Sequence, residues 1–444
     1  MAQKSKAKPK PPSPPPSALS SRLARRILGQ MGENGKPPEL GISHVNAGND
    51  SYLQLIDKVY IGEVIGDTDG SSFKLVQGTY GAGKTHFLYC VRDLAWRRNL
   101  AVAFVTISPK ECPLDKPRRV YQAVAQQIQL ARAHHDDDVV RGIDDIARRI
   151  IEDRVAADGR DDARAWVERL ARAPIERHSF RRALTQHMTA VIDGDHEAAE
   201  RIAAWLRGED LSLAEVKAHG IFEVPGDHNG FGMLRSLAQA ICRLGQEGSV
   251  LLFDEAERRL SIDPKRRKAT EEAMDHLREL IDLCGRSELP RTLILYAVTP
   301  AFAHEVLPEY PALQQRLGQP VQYLSAHNPR APLIDLEALD LDPRRLLREV
   351  GVRLAHIATC AYDWSPDANM INANLKQLVA TVTEEQLEVS HRRLFVKIWI
   401  RLLDDLRLGG DQTLSAEDVA GLVRNEQTVL LEEEHAGSFF GLPV

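Results

Sequence analysis

Residues 71–90 read Ser71-Ser72-Phe73-Lys74-Leu75-Val76-Gln77-Gly78-Thr79-Tyr80-Gly81-Ala82-Gly83-Lys84-Thr85-His86-Phe87-Leu88-Tyr89-Cys90, and this stretch decides the fold. An apolar strand over 73–77 runs into a glycine-rich loop, and a helix is expected over 85–98. The loop from Gly78 to Thr85 is G-x-x-x-x-G-K-T, the pattern of a phosphate-binding loop (P-loop). Its glycines let backbone N–H groups turn inward around phosphates, and the helix start adds its positive end. Lys84 is placed to reach the outer phosphates, and the Thr85 hydroxyl to ligate Mg²⁺. Gly78, Thr79, Tyr80, Gly81, Ala82, Gly83, Lys84, Thr85 and the adjoining His86 are the expected nucleotide contacts. ATP and Mg²⁺ are the expected ligands. A chance match in a Gly-containing turn is the alternative; the flanking strand and helix argue against it.

Outward from the loop, three more apolar runs read as buried parallel strands: AVAFVTI at 101–107, SVLLF at 249–253 and TLILYAV at 292–298. Residues 332–338 are a candidate fifth. Before the loop, Leu23, Ile27, Leu28 and Met31 keep a helical period until Gly35, and a second helix is expected over 52–60. A turn is expected over 66–72. Residues 116–245 read as almost wholly helical, with Trp166 and Trp205 as packing anchors. After 342 the chain turns helical again: Asp342 and Pro343 make an N-cap and N1 pair, and a further helix is expected over 390–406. Strands alternating with helices predict an α/β fold with a parallel sheet.

The remaining site residues follow from chemistry at strand ends. The run Val250-Leu251-Leu252-Phe253-Asp254-Glu255 ends in two acids, which a buried strand carries only for a partner. Asp254 fits a holder of Mg²⁺ and Glu255 the general base on the attacking water. A solvated strand-to-helix turn is the plainer alternative. Thr299 ends the run at 292–298, at the carboxyl end where ligands of parallel sheets bind; the alternative is a Thr–Pro turn. Arg316 is a candidate arginine finger toward a neighbouring subunit, or else a surface arginine. The helix after Ser390 opens with His391, Arg392 and Arg393. Arg393 is the first choice to contact phosphate, Arg392 the reserve, and a solvated helix start the alternative. Arg258, Arg259, Lys265, Arg266, Arg267 and Lys268 form a basic run that is either a solvated face or a contact to phosphate backbone.

Composition sets the limits. The chain has 444 residues, 43% hydrophobic and 27% charged, which suits a large soluble core. No run reaches the ~18 apolar residues of a membrane span. The start has no apolar core of a secretory signal. Five scattered cysteines without a CxxC pair exclude a disulfide scaffold and a zinc ribbon, and a reducing cytoplasm is expected. Residues 1–18 hold four Lys and six Pro and read as a disordered basic tail. Net charge is −6, and beyond the tail acids outnumber bases 63 to 53. Any nucleic-acid contact must therefore be local.

The loop QGTYGAGKT (Gln77–Thr85) is similar to that of the ATP-binding proteins of BREX phage-defence systems, the BrxC/BrxD family. The stretches ISPKECPLDKPRRVY from Ile107, WLRGEDLSLAEVKAHGI from Trp205, LRSLAQAICRLGQEGSVLLFDEAE from Leu234, and TPAF with YPALQQRL between Thr299 and Leu317 resemble the same family. The resemblance covers roughly 25–408, and its length is that of the short BrxD branch. It implies an AAA+ fold of the origin-recognition type with a large helical insertion and a helical lid. The implied division is a tail at 1–20, an ATPase domain at 21–340 with its insertion at about 116–245, a lid at 341–410 and a C-terminal tail at 411–444. The implied function is ATP hydrolysis in defence against phage, on DNA or a DNA-bound complex, as a homo-oligomer with other defence proteins and away from membranes. Two departures stand out. No Pro precedes Arg392, and the 36 residues after Leu408 are too few for a winged helix. A nucleotide-gated switch or scaffold with little turnover is the alternative. A phosphotransferase is a weaker one, since no acceptor-site motif accompanies the loop.

Overall fold

The computed structural model describes residues 19–108, 111–131, 140–254, 267–317, 322–338, 342–384, 391–410 and 412–439. Among these, seven strands form one sheet: β1 (Ser71–Gln77), β2 (Ala101–Thr106), β3 (Ile128–Leu130), β4 (Val140–Arg141), β5 (Ser249–Asp254), β6 (Thr292–Val298) and β7 (Leu333–Asp335). Their order is β4-β3-β2-β5-β6-β1-β7. The five strands from β2 to β7 are parallel. β3 and β4 add an antiparallel edge. That edge corrects the reading of 116–245 as almost wholly helical. Strands of two and three residues are too short to show a period in sequence.

Alternation along each strand sorts its side chains to two faces. Phe73 and Leu75 of β1, Leu251 and Phe253 of β5, and Ile294, Tyr296 and Val298 of β6 enter one core. Val76, Val250, Leu252, Leu293, Leu295 and Ala297 enter the other. With helices on both faces, neither set meets water, which is why these strands read as continuous apolar runs. Each Val, Leu, Ile or Phe among them contributes about 1.5–3 kcal/mol by leaving water. The second face is covered by helix Lys84–Arg97 and by Asp50–Leu55, which continues unbroken as a wider-turn helix over Ile56–Asp67. The expected helix at 52–60 is thus longer, and it runs into the expected turn.

The first face carries helices Pro117–Gln127, Gly230–Arg243 and Arg267–Gly285, and beyond them Ile143–Asp158, Arg160–Leu170, His178–Asp193 and His196–Leu206. Trp205 is fully buried here and donates to the Glu223 carbonyl at 2.9 Å. Trp166 is only half-buried, with the Arg154 guanidinium over its ring. Gly230 decides one helix contact. A Cβ there would lie 2.4 Å from the Pro117 carbonyl carbon, so only glycine lets the two helices meet.

A separate helical core joins Ser21–Asn34 to Pro343–Tyr362, Ala368–Glu384, His391–Gly409 and Ala416–Phe439. The Asp342 side chain caps its helix by accepting from the Arg344 N–H, as the sequence predicts. The region 411–444, read as a tail, instead carries helix Ala416–Phe439. Val419 and Val423 are buried in this core, and Glu426 pairs with Lys397 at 2.8 Å. The first helix also belongs to this core rather than to the sheet layers.

Candidate functional site

The loop leaves β1 at the carboxyl ends of the parallel strands. The Gly78 N–H donates to the Val298 carbonyl at 3.2 Å, which ties the loop to β6. Ala82 N–H closes a turn on the Thr79 carbonyl at 3.1 Å. Gly81 and Gly83 have φ of 78° and 96°, values that glycine adopts without strain. The loop then enters helix Lys84–Arg97. The Lys84 ammonium lies inside the curve and donates to the carbonyls of Gly78 at 2.9 Å and Thr79 at 3.2 Å. Tyr80 is largely exposed at the loop's outer side.

Thr85 Oγ1 donates to Asp254 Oδ2 at 2.7 Å. Asp254 is buried at the end of β5, and its carbonyl accepts from Ile107 N–H at 2.9 Å. The two expected Mg²⁺ ligands, 169 positions apart, therefore meet. Among the described residues no three His, Cys, Asp or Glu side chains cluster as a protein-only metal cage. Mg²⁺ needs none, because one or two oxygen ligands, waters and phosphates complete its octahedron. The hydroxyl and carboxylate present fit it.

β6 lies between β1 and β5, so Thr299 at its end stands between the loop and Asp254. Glu255 lies outside the described residues, as do Arg258, Arg259, Lys265 and Arg266. Lys268 is exposed and pairs with Glu272 at 3.8 Å.

Of the two arginines near the start of helix His391–Gly409, the structure sends Arg392 to the loop and Arg393 away from it. Arg392 Nη1 donates to the Ala82 carbonyl of the loop. Arg393, the first choice from sequence, donates Nε to the Asn34 carbonyl at 2.9 Å and lies along helix Ser21–Asn34. Neighbours on a helix point about 100° apart, so only one of them can face the loop. Burial lowers the Arg392 pKa, and the charge of Glu337 opposes that shift. His86 Nε2 lies 3.2 Å from Asn46 Oδ1. Burial, with the positive Arg392 beside it, pushes His86 down to about 4, so the ring is neutral at pH 7.

Arg316 sits on helix Pro311–Leu317 and grips Asp282 of its own chain through Nε and Nη2, the latter at 2.9 Å. This ion pair holds the Asp282 carboxyl below its usual range.

Two residues at the loop were not singled out from sequence. Glu337 accepts from Thr79 Oγ1 at 2.6 Å. Its position just past the candidate strand at 332–338 was the available signal, by the same carboxyl-end rule that selected Thr299. Asn46, beside His86, had none. A cavity of about 540 Å³ opens elsewhere, between the loop helix, β2 and the edge strands, and no phosphate-loop residue lines it.

A phosphate loop on a parallel sheet, with a hydroxyl and a carboxylate brought together beside it, defines a nucleotide-binding α/β protein. The model of the family described as BREX system ATP-binding protein BrxC/D matches residues 19–417, and the chain belongs to that family. No curated protein and no solved structure matches it. None of the described helices is long and apolar enough to cross a membrane.

Proposed function

We propose that this chain is an ATP-hydrolysing AAA+ protein of a phage-defence system, working as a homo-oligomer on DNA or on a DNA-bound defence complex with other proteins of the system. The observation that carries the reading is the 2.7 Å contact between Thr85 and Asp254 beside the loop. The strand order, with β6 between β1 and β5, and the helical layer that sends Arg392 to the loop support an AAA+ ATPase with a lid.

In this reading the loop N–H groups and Lys84 bind the phosphates, and Arg392 approaches from the lid. Thr85 and Asp254 would hold Mg²⁺, whose charge neutralises that building up on the phosphates. Thr299 orients the outer phosphate, and Glu255 accepts a proton from the attacking water.

Two substitutions test it. Lys84→Ala should abolish or greatly weaken ATP binding by calorimetry while leaving the fold intact. Glu255→Gln should keep ATP and lose about 10²–10⁴-fold in turnover, the usual weight of a general base. Unchanged phosphate release from Glu255→Gln would reduce Glu255 to a turn residue.

A second reading, an ATP-gated switch or scaffold with little turnover, is favoured by one observation: Arg316 is held by Asp282 within its own chain. Phosphate release measured with and without DNA, over a range of protein concentrations, separates the two. Turnover that rises with concentration or with DNA supports the hydrolase; slow, invariant turnover supports the switch.

A further inference from the structure

A carboxylate stands at the mouth of a loop built for phosphates. Glu337 lies two residues past β7, the strand that pairs with β1 at Gln77. Its own N–H donates to Asp335 Oδ1 at 2.9 Å, and the Leu336 N–H donates to the Gln77 carbonyl at 3.0 Å. The turn is thus fixed to the residue just before the loop. The carboxylate accepts from Thr79, the second residue of the loop, at 2.6 Å. Its charge also acts on Arg392, which reaches the same loop at Ala82 from the helical layer.

Chemically this is the wrong sign for a phosphate contact. A carboxylate repels a polyphosphate, and it engages a loop hydroxyl that phosphate oxygens would otherwise meet. We propose that Glu337 is a latch on the phosphate loop: it holds Thr79 until the phosphates of a nucleotide displace it. The latch rests on the reading of this loop as the ATP site and adds a brake to it. It weighs most on ATP, which brings the most negative charge to the loop, and less on nucleotides with fewer phosphates.

The test is calorimetry of ATP, ADP and AMP on the full chain and on Glu337→Gln and Thr79→Val. The glutamine keeps an acceptor for Thr79 and removes only the charge. The valine removes the hydrogen bond and leaves the charge. Glu337→Gln should bind ATP roughly two- to fivefold tighter, the size of one exposed, screened charge contact. The gain should shrink as salt is raised. The preference for ATP over AMP should widen, because the repulsion removed is largest for the nucleotide with the most charge. Thr79→Val should shift affinity the same way by less. ATP affinity equal to or below that of the unaltered chain in Glu337→Gln overturns the latch and leaves Glu337 as a support of the loop. Lys84→Ala, placed in the Glu337→Gln background, separates this failure from that of the site itself. Retained ATP binding there would show that the nucleotide lies elsewhere, whereas lost binding keeps the loop as the site and leaves the latch to be judged on Glu337 alone.

Discussion

Arg392 and Arg393 differ by one position and by everything that position does. One reaches the Ala82 carbonyl, the other the Asn34 carbonyl. Arg392→Ala should therefore weaken ATP binding or slow turnover, while Arg393→Ala should leave both nearly unchanged and act only on how helix Ser21–Asn34 packs. Calorimetry and phosphate release on both variants check this, and a larger loss from Arg393→Ala would reverse the assignment. His86 adds a pH dependence. Its folded pKa, about 4, lies below the unfolded value near 6.5, so between these limits the unfolded chain binds more protons. Stability should be complete above about pH 6.5 and fall by up to ~3 kcal/mol as pH drops toward 4. Denaturant unfolding of His86→Gln against the unaltered chain should show a flatter profile across that window.

At the scale of elements, close contacts and covered faces matter more than propensity. Gly230 sits where a Cβ would strike the Pro117 backbone, so Gly230→Ala must push two helices apart. A loss of about 1–3 kcal/mol is expected, the usual weight of overpacking, read as a lower denaturant midpoint with unchanged slope. The last helix makes a second case. Val419 and Val423 are fully buried against the helical core, each contributing about 1.5–3 kcal/mol. Ending the chain at residue 410 should lower the melting temperature by several degrees, although none of the expected site residues is removed. An unchanged melting temperature would mean that this helix packs too loosely to matter. The sequence was weakest here. Helix Ala416–Phe439 has only a thin apolar stripe, so nothing in 411–444 announced a packed element. β3 and β4 were lost for the same reason: elements of two or three residues have no period to read.

Over the whole molecule, Arg316 is the residue through which a second copy would complete the site. Arg316 is paired with Asp282, which must release it before it can serve a neighbour. If it acts as an arginine finger, Arg316→Ala should spare ATP binding and cut turnover, an effect that can reach ~10³–10⁵. Mixing Arg316→Ala with Glu255→Gln subunits should then restore part of the activity, because some interfaces pair an intact Glu255 with an intact Arg316. A slow single mutant that mixing cannot rescue would place Arg316 within its own subunit. Normal turnover in the single mutant would leave the Asp282 pair as its only task.

The sequence by itself determined the phosphate loop, the four longest parallel strands and the alternation that covers both faces, because each is written in adjacent residues through glycine freedom, β-branched runs or a period of two. It also determined Asp254 as an acid at a strand end. Only the tertiary structure decided that Thr85 meets Asp254, that Arg392 rather than Arg393 faces the loop, that Glu337 touches Thr79, and that the first and last helices share one core. These are contacts between residues tens to hundreds of positions apart. They are set by how layers stack and how each helix is turned about its axis, and neither quantity is carried by a local stretch of chain.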